Sequence, residues 1–280
     1  MTSSALFSHL VYQIVEAKLS KNFPQESSLR LYPASDHPDT LSHLSLTINQ
    51  AADVAFLLSR TALDLAAQKA DPFFARTTLD FAQRTRITSD YHLQHFPEIL
   101  LSLSHSKNYG AAVIRKVEVN NYKDRDPNQT LSTKITPGIG IDLELASRRV
   151  RPEIITHIQN PRDNFKSLPS ISCGTLTSIE AISVSREHLT ALMIWCLKEA
   201  CFKALAAQNP EVKFISEIWL DYPSFGYAPL PGNEGKIIAR PANKNVKHAL
   251  LNVRGVCQVQ IITDLAQPLV VALAESPSST

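Results

Sequence analysis

Apolar residues alternate with glycine and acidic residues along positions 138–144, which read Gly-Ile-Gly-Ile-Asp-Leu-Glu. Because successive side chains of a strand point to opposite faces, this alternation predicts a strand with one apolar face and one face that carries Gly140, Asp142 and Glu144. Taken alone, the pattern is more typical of an ordinary half-buried strand with a solvated acidic face. Two neighbouring carboxylates nevertheless repel each other unless a cation lies between them, and they are ligands that suit Mg²⁺.

A second pattern, with helical periodicity, covers positions 187–208, which contain no glycine or proline. At about 100° per residue, Glu199 and Lys203 lie one turn apart within the apolar stripe of this predicted helix, whereas Lys198 is displaced toward its polar flank. Charges on a buried helix face are costly unless they are paired or bind a charged group. A simple ion pair between Glu199 and Lys203 is the alternative, although such a pair suits an exposed face better.

The rest of the chain predicts a mixture of helices and strands, and hence an α+β fold. We expect helices at 5–20, 51–69 and 152–159, and strands at 100–104, 109–117, 214–222, 236–240, 249–263 and 268–274. Residues 22–50 are expected to be irregular, and residues 123–136 form a polar linker. Residues 160–185 are rich in Ser, Pro and Thr and predict a long loop.

Composition and charge narrow the function classes. The 280 residues are 44% hydrophobic, enough for a sizeable core, and the net charge of +2 is too small to suggest nucleic-acid binding. No apolar run is long enough to span a membrane, and residues 1–20 lack the pattern of a signal peptide, so we expect a cytoplasmic protein with no membrane partner. The basic run 148–151, Arg-Arg-Val-Arg, is either a solvated turn or a patch that faces an acidic partner.

Together, the strand and the helix carry a recognisable signature. Gly-Ile-Asp-x-Glu followed by Trp-x-x-Lys-Glu-Ala-x-x-Lys resembles the signature of the 4′-phosphopantetheinyl transferases, which move the phosphopantetheine arm of coenzyme A onto a serine of a carrier protein. Residues 101–113, LSLSHSKNYGAAV, are similar to the Ser-His-Ser segment of the larger, Sfp-type members, and the three segments follow the family's order. The chain departs from the family in three ways. The Gly-Lys-Pro element before the Ser-His-Ser segment is not recognisable, the interval between Asp142 and Glu199 is longer than usual, and Cys196 stands where serine or threonine is more usual.

The resemblance implies two pseudo-symmetric halves, each an antiparallel sheet packed with helices, with the active site in the cleft between them. Residues 1–136 would form the N-terminal half and residues 137–280 the C-terminal half. The implied activity is that of a holo-acyl-carrier-protein synthase that uses coenzyme A, releases 3′,5′-ADP and depends on Mg²⁺, with Mn²⁺ as a possible substitute. The implied partner is an apo acyl or peptidyl carrier protein of fatty-acid, polyketide or nonribosomal-peptide biosynthesis, and the larger members tend to be monomers.

The resemblance also implies roles for individual residues. The metal would be held by three carboxylates, those of Asp142, Glu144 and Glu199. Coenzyme A would be held by Lys203 at its phosphates and by Ser104 and His105 at its 3′-phosphate. Arg60, on the predicted helix 51–69, is a further candidate for the 3′-phosphate, although a solvated charge is the more common role of an arginine on a helix. Lys198 would face the phosphopantetheine arm or the carrier protein, and Glu199 or a water molecule would accept the proton of the carrier serine.

Two other functions share part of these features. A carrier-protein-binding homologue without transfer activity would keep the fold, but it would have no need of charges on an apolar helix face. A different Mg²⁺-dependent phosphate enzyme, such as a nucleotide hydrolase, would need the acids but not the Ser-His-Ser segment.

Overall fold

The protein is described by a computed structural model over residues 10–18, 28–32, 51–70, 99–116, 138–165, 185–206, 212, 214–222, 235–239, 253–262 and 267–276. This part of the chain is a mixed α+β structure with two sheets. The predicted α+β class is therefore confirmed. The linker at 123–136 and positions 166–184 of the predicted loop lie outside the described residues.

The smaller sheet is antiparallel throughout and has the strand order β2-β1-β4-β3. Its strands are β1 (Val11–Lys18), β2 (Ser28–Tyr32), β3 (Ile99–Ser106) and β4 (Tyr109–Lys116). Strands β3 and β4 form a hairpin in which Ser106 pairs with Tyr109, so the Ser-His-Ser segment ends one strand of this hairpin.

Helix α1 (Ala51–Ala70) packs across β1 and β4. Its contact with β4 requires Gly110, because a Cβ atom there would lie 2.1 Å from both the carbonyl carbon of Leu58 and the nitrogen of Ser59. The glycine therefore allows the helix backbone to touch the sheet directly, and the helix seals one face of the smaller sheet.

The larger sheet has the strand order β5-β10-β9-β8-β7-β6 and is antiparallel except for the short parallel pair of β6 and β7. Its strands are β5 (Gly138–Leu145), β6 (Asn164–Phe165), β7 (Ile218–Tyr222), β8 (Gly235–Ala239), β9 (Val253–Ile262) and β10 (Leu269–Ser276). The helices of this part are α2 (Pro152–Ile158), α3 (Arg186–Ala206) and a 3₁₀ turn (Ile215–Glu217).

The described elements stack as helix, sheet, sheet, helix, with apolar side chains between the layers. Alternate residues of β5 divide between two of these interfaces: Ile141 and Leu143 meet the smaller sheet, while Asp142 and Glu144 are on the side of α3. Strand β5 is an edge of the larger sheet and packs against β3, an edge of the smaller one. Each fully buried Leu or Ile at these interfaces stabilises the fold by about 1.5–3 kcal/mol, so the two edges are held firmly together.

Four predictions about secondary structure are wrong, and one of them is the loop predicted at 160–185, in which Asn164–Phe165 form the short strand β6. Residues 11–18 of the predicted N-terminal helix form β1, and residues 28–32 of the predicted irregular region form β2. The strand predicted at 214–222 begins only at Ile218, after the 3₁₀ turn. The helical spacing of β1 is misleading because the strand is central in its sheet, so both of its faces are buried and no alternation is visible.

Candidate active site

Strand β5 and helix α3 approach each other so closely that only glycine fits at the contact. A Cβ atom on Gly140 would lie 1.9 Å from the carbonyl oxygen of Ala200, and one on Gly138 would lie 1.9 Å from that of Ala204. Asp142 follows Gly140 on the same face of the strand, and Glu199 precedes Ala200 in the helix. The glycine of the signature therefore brings its two acidic segments together.

Asp142 and Lys203 form the central contact of the site. The ammonium of Lys203 donates hydrogen bonds to Asp142 Oδ1 at 2.8 Å and to the carbonyl oxygen of Ile141 at 2.9 Å. The Asp142 side chain is almost completely buried, whereas 29% of the Lys203 side chain is exposed. Lys203 thus binds the strand at the rim of the buried stripe, with part of its side chain facing solvent.

The other oxygen of Asp142 is unsatisfied. Oδ1 also accepts a hydrogen bond of 2.8 Å from the hydroxyl of Ser104, but the buried Oδ2 atom has no nitrogen or oxygen donor within hydrogen-bond distance in the described part of the chain. The buried thiol of Cys196, a weak donor, lies beside this carboxylate. Buried polar atoms nearly always have a partner, so an orphaned carboxylate oxygen is informative. It has the chemistry of an oxygen ligand for a hard cation.

Glu144, one step along the same face, is paired at both oxygens. Its Oε2 accepts a hydrogen bond of 2.7 Å from the hydroxyl of Ser106, and its Oε1 forms an ion pair with Arg148. The guanidinium of Arg148 lies 5.8 Å from the centre of the Trp195 ring, in cation–π contact. Since Trp195 is in α3, this contact joins Glu144 to the same helix that carries Glu199.

Glu199 is half-buried, and its surroundings disfavour its charged form. Burial raises the pKa of its carboxyl group, the negative charge of Asp142 raises the pKa further, and Lys203 and Arg148 oppose the shift. A carboxyl group whose ionisation is disfavoured by a second carboxylate is held near that carboxylate against their repulsion, an arrangement that a shared cation would relieve.

The serines of β3 complete the site in a way that the sequence alone did not predict. The hydroxyls of Ser102 and Ser104 accept hydrogen bonds from the backbone N–H groups of Ile141 and Leu143, at 3.1 and 3.3 Å. These bonds satisfy donors on the free edge of β5, which would otherwise be buried and unpaired. The sequence did contain a signal for this contact. Serine recurs at every second position of β3, at 102, 104 and 106, just as Asp142 and Glu144 are two positions apart on β5.

Four of the predicted site residues therefore lie together: Asp142, Lys203, Ser104 and Glu199. Lys203 and Ser104 bond Asp142 directly, and Glu199 is close enough for the charge of Asp142 to affect its pKa. Glu144 lies two positions from Asp142 on β5, but it is held by Ser106 and Arg148. No group of three acidic, histidine or cysteine side chains among the described residues is gathered in a ligand shell. The donor types fit Mg²⁺, because all three predicted ligands are carboxylates: Asp142, Glu144 and Glu199. The Oδ2 atom of Asp142 and the raised pKa of Glu199 also agree with a bound cation. In the structure, Lys203 neutralises Asp142 and Arg148 neutralises Glu144.

The remaining predicted residues lie apart from this contact. His105 is exposed at the end of β3, and its neighbours Ser104 and Ser106 point to the opposite face. Arg60 is buried in α1, and burial lowers the pKa of its guanidinium. Gly110 pairs with His105 and touches the backbone of α1 one residue before Arg60, so both residues belong to the same corner of the smaller sheet.

The prediction that Lys198 lies toward the polar flank of its helix is wrong. Its side chain has no solvent exposure, and its ammonium pairs with Asp163 at 2.8 Å. Periodicity could not reveal this, because the second side of α3 is covered by β7 and by the turn that contains Asp163, two elements distant in sequence.

Comparison with known proteins adds no assignment. No model of a protein family matches the chain, and no curated protein gives a significant match to its sequence. No helix in the described residues is both long and apolar enough to cross a membrane.

Proposed function

We propose that the protein is a 4′-phosphopantetheinyl transferase, which transfers phosphopantetheine from coenzyme A to a serine of an apo acyl or peptidyl carrier protein. The observation that carries this proposal is the contact between the two signature segments. Asp142 from β5 meets Lys203 from α3 at 2.8 Å, with Glu199 close enough to respond to the charge of Asp142 and with one oxygen of Asp142 unsatisfied. Acids and a lysine in this arrangement suit a cation and a pyrophosphate better than they suit an apolar core.

Each residue has a role in the proposed reaction. The hydroxyl of the carrier serine attacks the β-phosphorus of coenzyme A, a new P–O bond forms, and the bond to the α-phosphate oxygen breaks as 3′,5′-ADP leaves with the electron pair. Asp142, Glu144 and Glu199 would hold Mg²⁺, which supplies positive charge to the pyrophosphate oxygens. Lys203, anchored on the Ile141 carbonyl and partly exposed, contacts the phosphates and stabilises the negative charge of the leaving group. The serine proton passes to Glu199 or to a water molecule.

A two-half arrangement is part of the proposal. Each sheet has one long helix across its outer face, and in each case the contact depends on glycine: Gly110 beneath α1, and Gly138 and Gly140 beneath α3. Ser104 and Ser106 of the first sheet bond Asp142 and Glu144 of the second. These features support pseudo-symmetric halves, 1–136 and 137–280, with a site between them to which Arg60 and His105 contribute the pocket for the 3′-phosphate of coenzyme A. We also propose a cytoplasmic monomer, as the sequence and the resemblance to the larger members of the family lead us to expect.

A mass measurement tests the proposal. The purified protein is incubated with coenzyme A, Mg²⁺ and each of several apo carrier proteins, and the intact carrier is weighed. We expect a gain of one phosphopantetheine group, lost with a chelator and lost in Asp142→Ala and Glu199→Gln. No gain with any carrier, together with binding of apo carrier, would support an inactive binding homologue. Coenzyme A cleavage in the absence of carrier would support a hydrolase.

A further inference from the structure

Lys198 has no donor left for a substrate. Its ammonium lies 2.8 Å from each oxygen of Asp163 and also donates a hydrogen bond to the carbonyl oxygen of Ile218. An ammonium has three donors, and these three acceptors can use all of them. The side chain is also fully buried, so neither a phosphate nor a carrier protein can reach it without unfolding its surroundings.

Asp163 is the centre of a network that joins distant parts of the chain. Its Oδ1 accepts the backbone N–H of Leu220 in β7 at 2.8 Å, and its Oδ2 accepts the N–H of Asn160 at 2.8 Å. The Asn160 side chain in turn donates to the carbonyl oxygen of Ser216 at 2.8 Å. One carboxylate therefore connects α3, the turn at 160–163 and the start of β7.

Helix α3 is consequently fixed from two sides. The Lys198 pair holds one side against β7, while the backbone of Ala200 and Ala204 rests on Gly140 and Gly138 of β5. Consecutive residues of a helix are about 100° apart, so a rotation that satisfies Lys198 also sets the direction of Glu199. Rotation of the helix would separate Glu199 and Lys203 from Asp142.

We propose that Lys198 and Asp163 form a positioning pair, whose buried ion pair sets the rotation of α3 that aims Glu199 and Lys203 at Asp142. The effect on transfer rests on the proposed function. The position of the pair and its effect on the rotation of α3 do not depend on that function. It differs from the role that the signature implies for Lys198, because the lysine acts through the helix and contacts neither coenzyme A nor the carrier protein.

Variants that remove the charges of Lys198 and Asp163, singly and together, distinguish a positioning role of Lys198 from direct contact with a substrate. Lys198→Met leaves a buried carboxylate without its cation, and Asp163→Asn leaves a buried ammonium without its anion. Each single change should lower the thermal midpoint and reduce transfer about tenfold or more, because breaking one partner of a buried pair is costly. The double variant K198M/D163N buries no charge, so it should regain at least half of the lost midpoint and transfer within about threefold of the wild type.

The pair at the site provides a matched control. Lys203 and Asp142 are also 2.8 Å apart and join the same helix to a strand. K203M/D142N should not regain the transfer that either single change removes, because both residues belong to the reacting site. Transfer by K198M/D163N that stays as low as in K198M, with a restored midpoint, would overturn the proposal and place Lys198 on the substrate.

Mn²⁺ affinity, measured by electron paramagnetic resonance, gives a readout that does not require transfer. If the wild type transfers nothing, the proposed function fails, but the positioning pair is still tested. Mn²⁺ affinity should fall in K198M and return in K198M/D163N. If either the thermal midpoint or the Mn²⁺ affinity of the double variant stays as low as in K198M, the positioning role is contradicted. This result does not depend on whether the protein transfers phosphopantetheine.

Discussion

At the scale of the residue, the two oxygens of Asp142 have different surroundings. Oδ1 accepts hydrogen bonds from Ser104 and Lys203, whereas Oδ2 is buried and has no nitrogen or oxygen donor within hydrogen-bond distance in the described ranges. A buried polar atom without a partner costs about 1–3 kcal/mol. Such a cost is typical of a functional site, where the free oxygen serves a ligand that the folded chain alone does not supply.

Glu199→Gln should stabilise the metal-free protein while it abolishes transfer. Burial and the charge of Asp142 raise the pKa of Glu199 in the folded state, so ionised Glu199 opposes folding. Its favourable contribution is present below the unfolded-state pKa and is lost as the pH rises through the folded-state pKa. The thermal midpoint of E199Q in chelator should therefore exceed that of the wild type at neutral pH, and the difference should disappear under acidic conditions. An equal midpoint at every pH would contradict this account of Glu199.

Ser104→Ala should weaken both the fold and the site, whereas Ser102→Ala should weaken only the fold. Each loses a backbone bond to β5, which costs about 1 kcal/mol of unfolding free energy. Only Ser104 also bonds Asp142. Denaturant unfolding and transfer kinetics of the two variants give the comparison. Equal losses of kcat would mean that the bond from Ser104 to Asp142 does not matter for the reaction.

At the scale of the element, the sequence predicted correctly those helices and strands whose local pattern of apolar and polar residues is clear. Strand β5 alternates, and α3 is long and free of helix breakers, so both were predicted within two residues of their observed ends. Strand β1 was mistaken for a helix because it is paired on both edges and covered on both faces, which also buries Gln13 and Glu16. Those two residues are satisfied by Lys69 and Tyr109, partners that no local pattern reveals.

Gly140→Ala should displace α3 and thereby damage the site. The added methyl group would lie 1.9 Å from the Ala200 carbonyl oxygen, and overpacking of this kind costs about 1–3 kcal/mol. Gly138→Ala is a matched control, since its methyl group would lie equally close to Ala204 O. Both variants should lose similar stability by denaturant unfolding, but G140A should lose more transfer because it is the closer to Asp142 and Glu199. An equal loss of transfer would mean that the local position of α3 near Glu199 is not critical.

At the scale of the whole molecule, the candidate site depends on the meeting of two sheet edges. Strand β3 of one sheet lies against β5 of the other, with matching positions of serine and acid. The signature predicted that the acids and the helix would converge, but it did not predict the register of β3 against β5. That register depends on the apolar residues buried between the sheets, which are distributed over the whole chain and carry no local signal.

The basic run beside the site should matter for the carrier protein and not for coenzyme A. Arg149 and Arg151 are exposed just after β5, on the chain that leads from Glu144 to α2. Reversal of both charges, R149E/R151E, should raise the KM for an acidic carrier about tenfold at low salt and leave the KM for coenzyme A unchanged. Lys116→Glu, which changes an exposed charge at the end of β4, is the control. A KM for the carrier that does not respond to R149E/R151E or to salt would exclude this run from carrier recognition.

The most direct test of the central claim is the binding of Mn²⁺ to the wild type, D142N and E199Q, measured by electron paramagnetic resonance. The claim is that acids from β5 and from α3 form one cation site, although they come from distant parts of the sequence. We predict one Mn²⁺ per chain in the wild type and a loss of affinity of about tenfold or more in each variant, with the fold retained. The same affinity in all three proteins would show that these carboxylates do not share a cation.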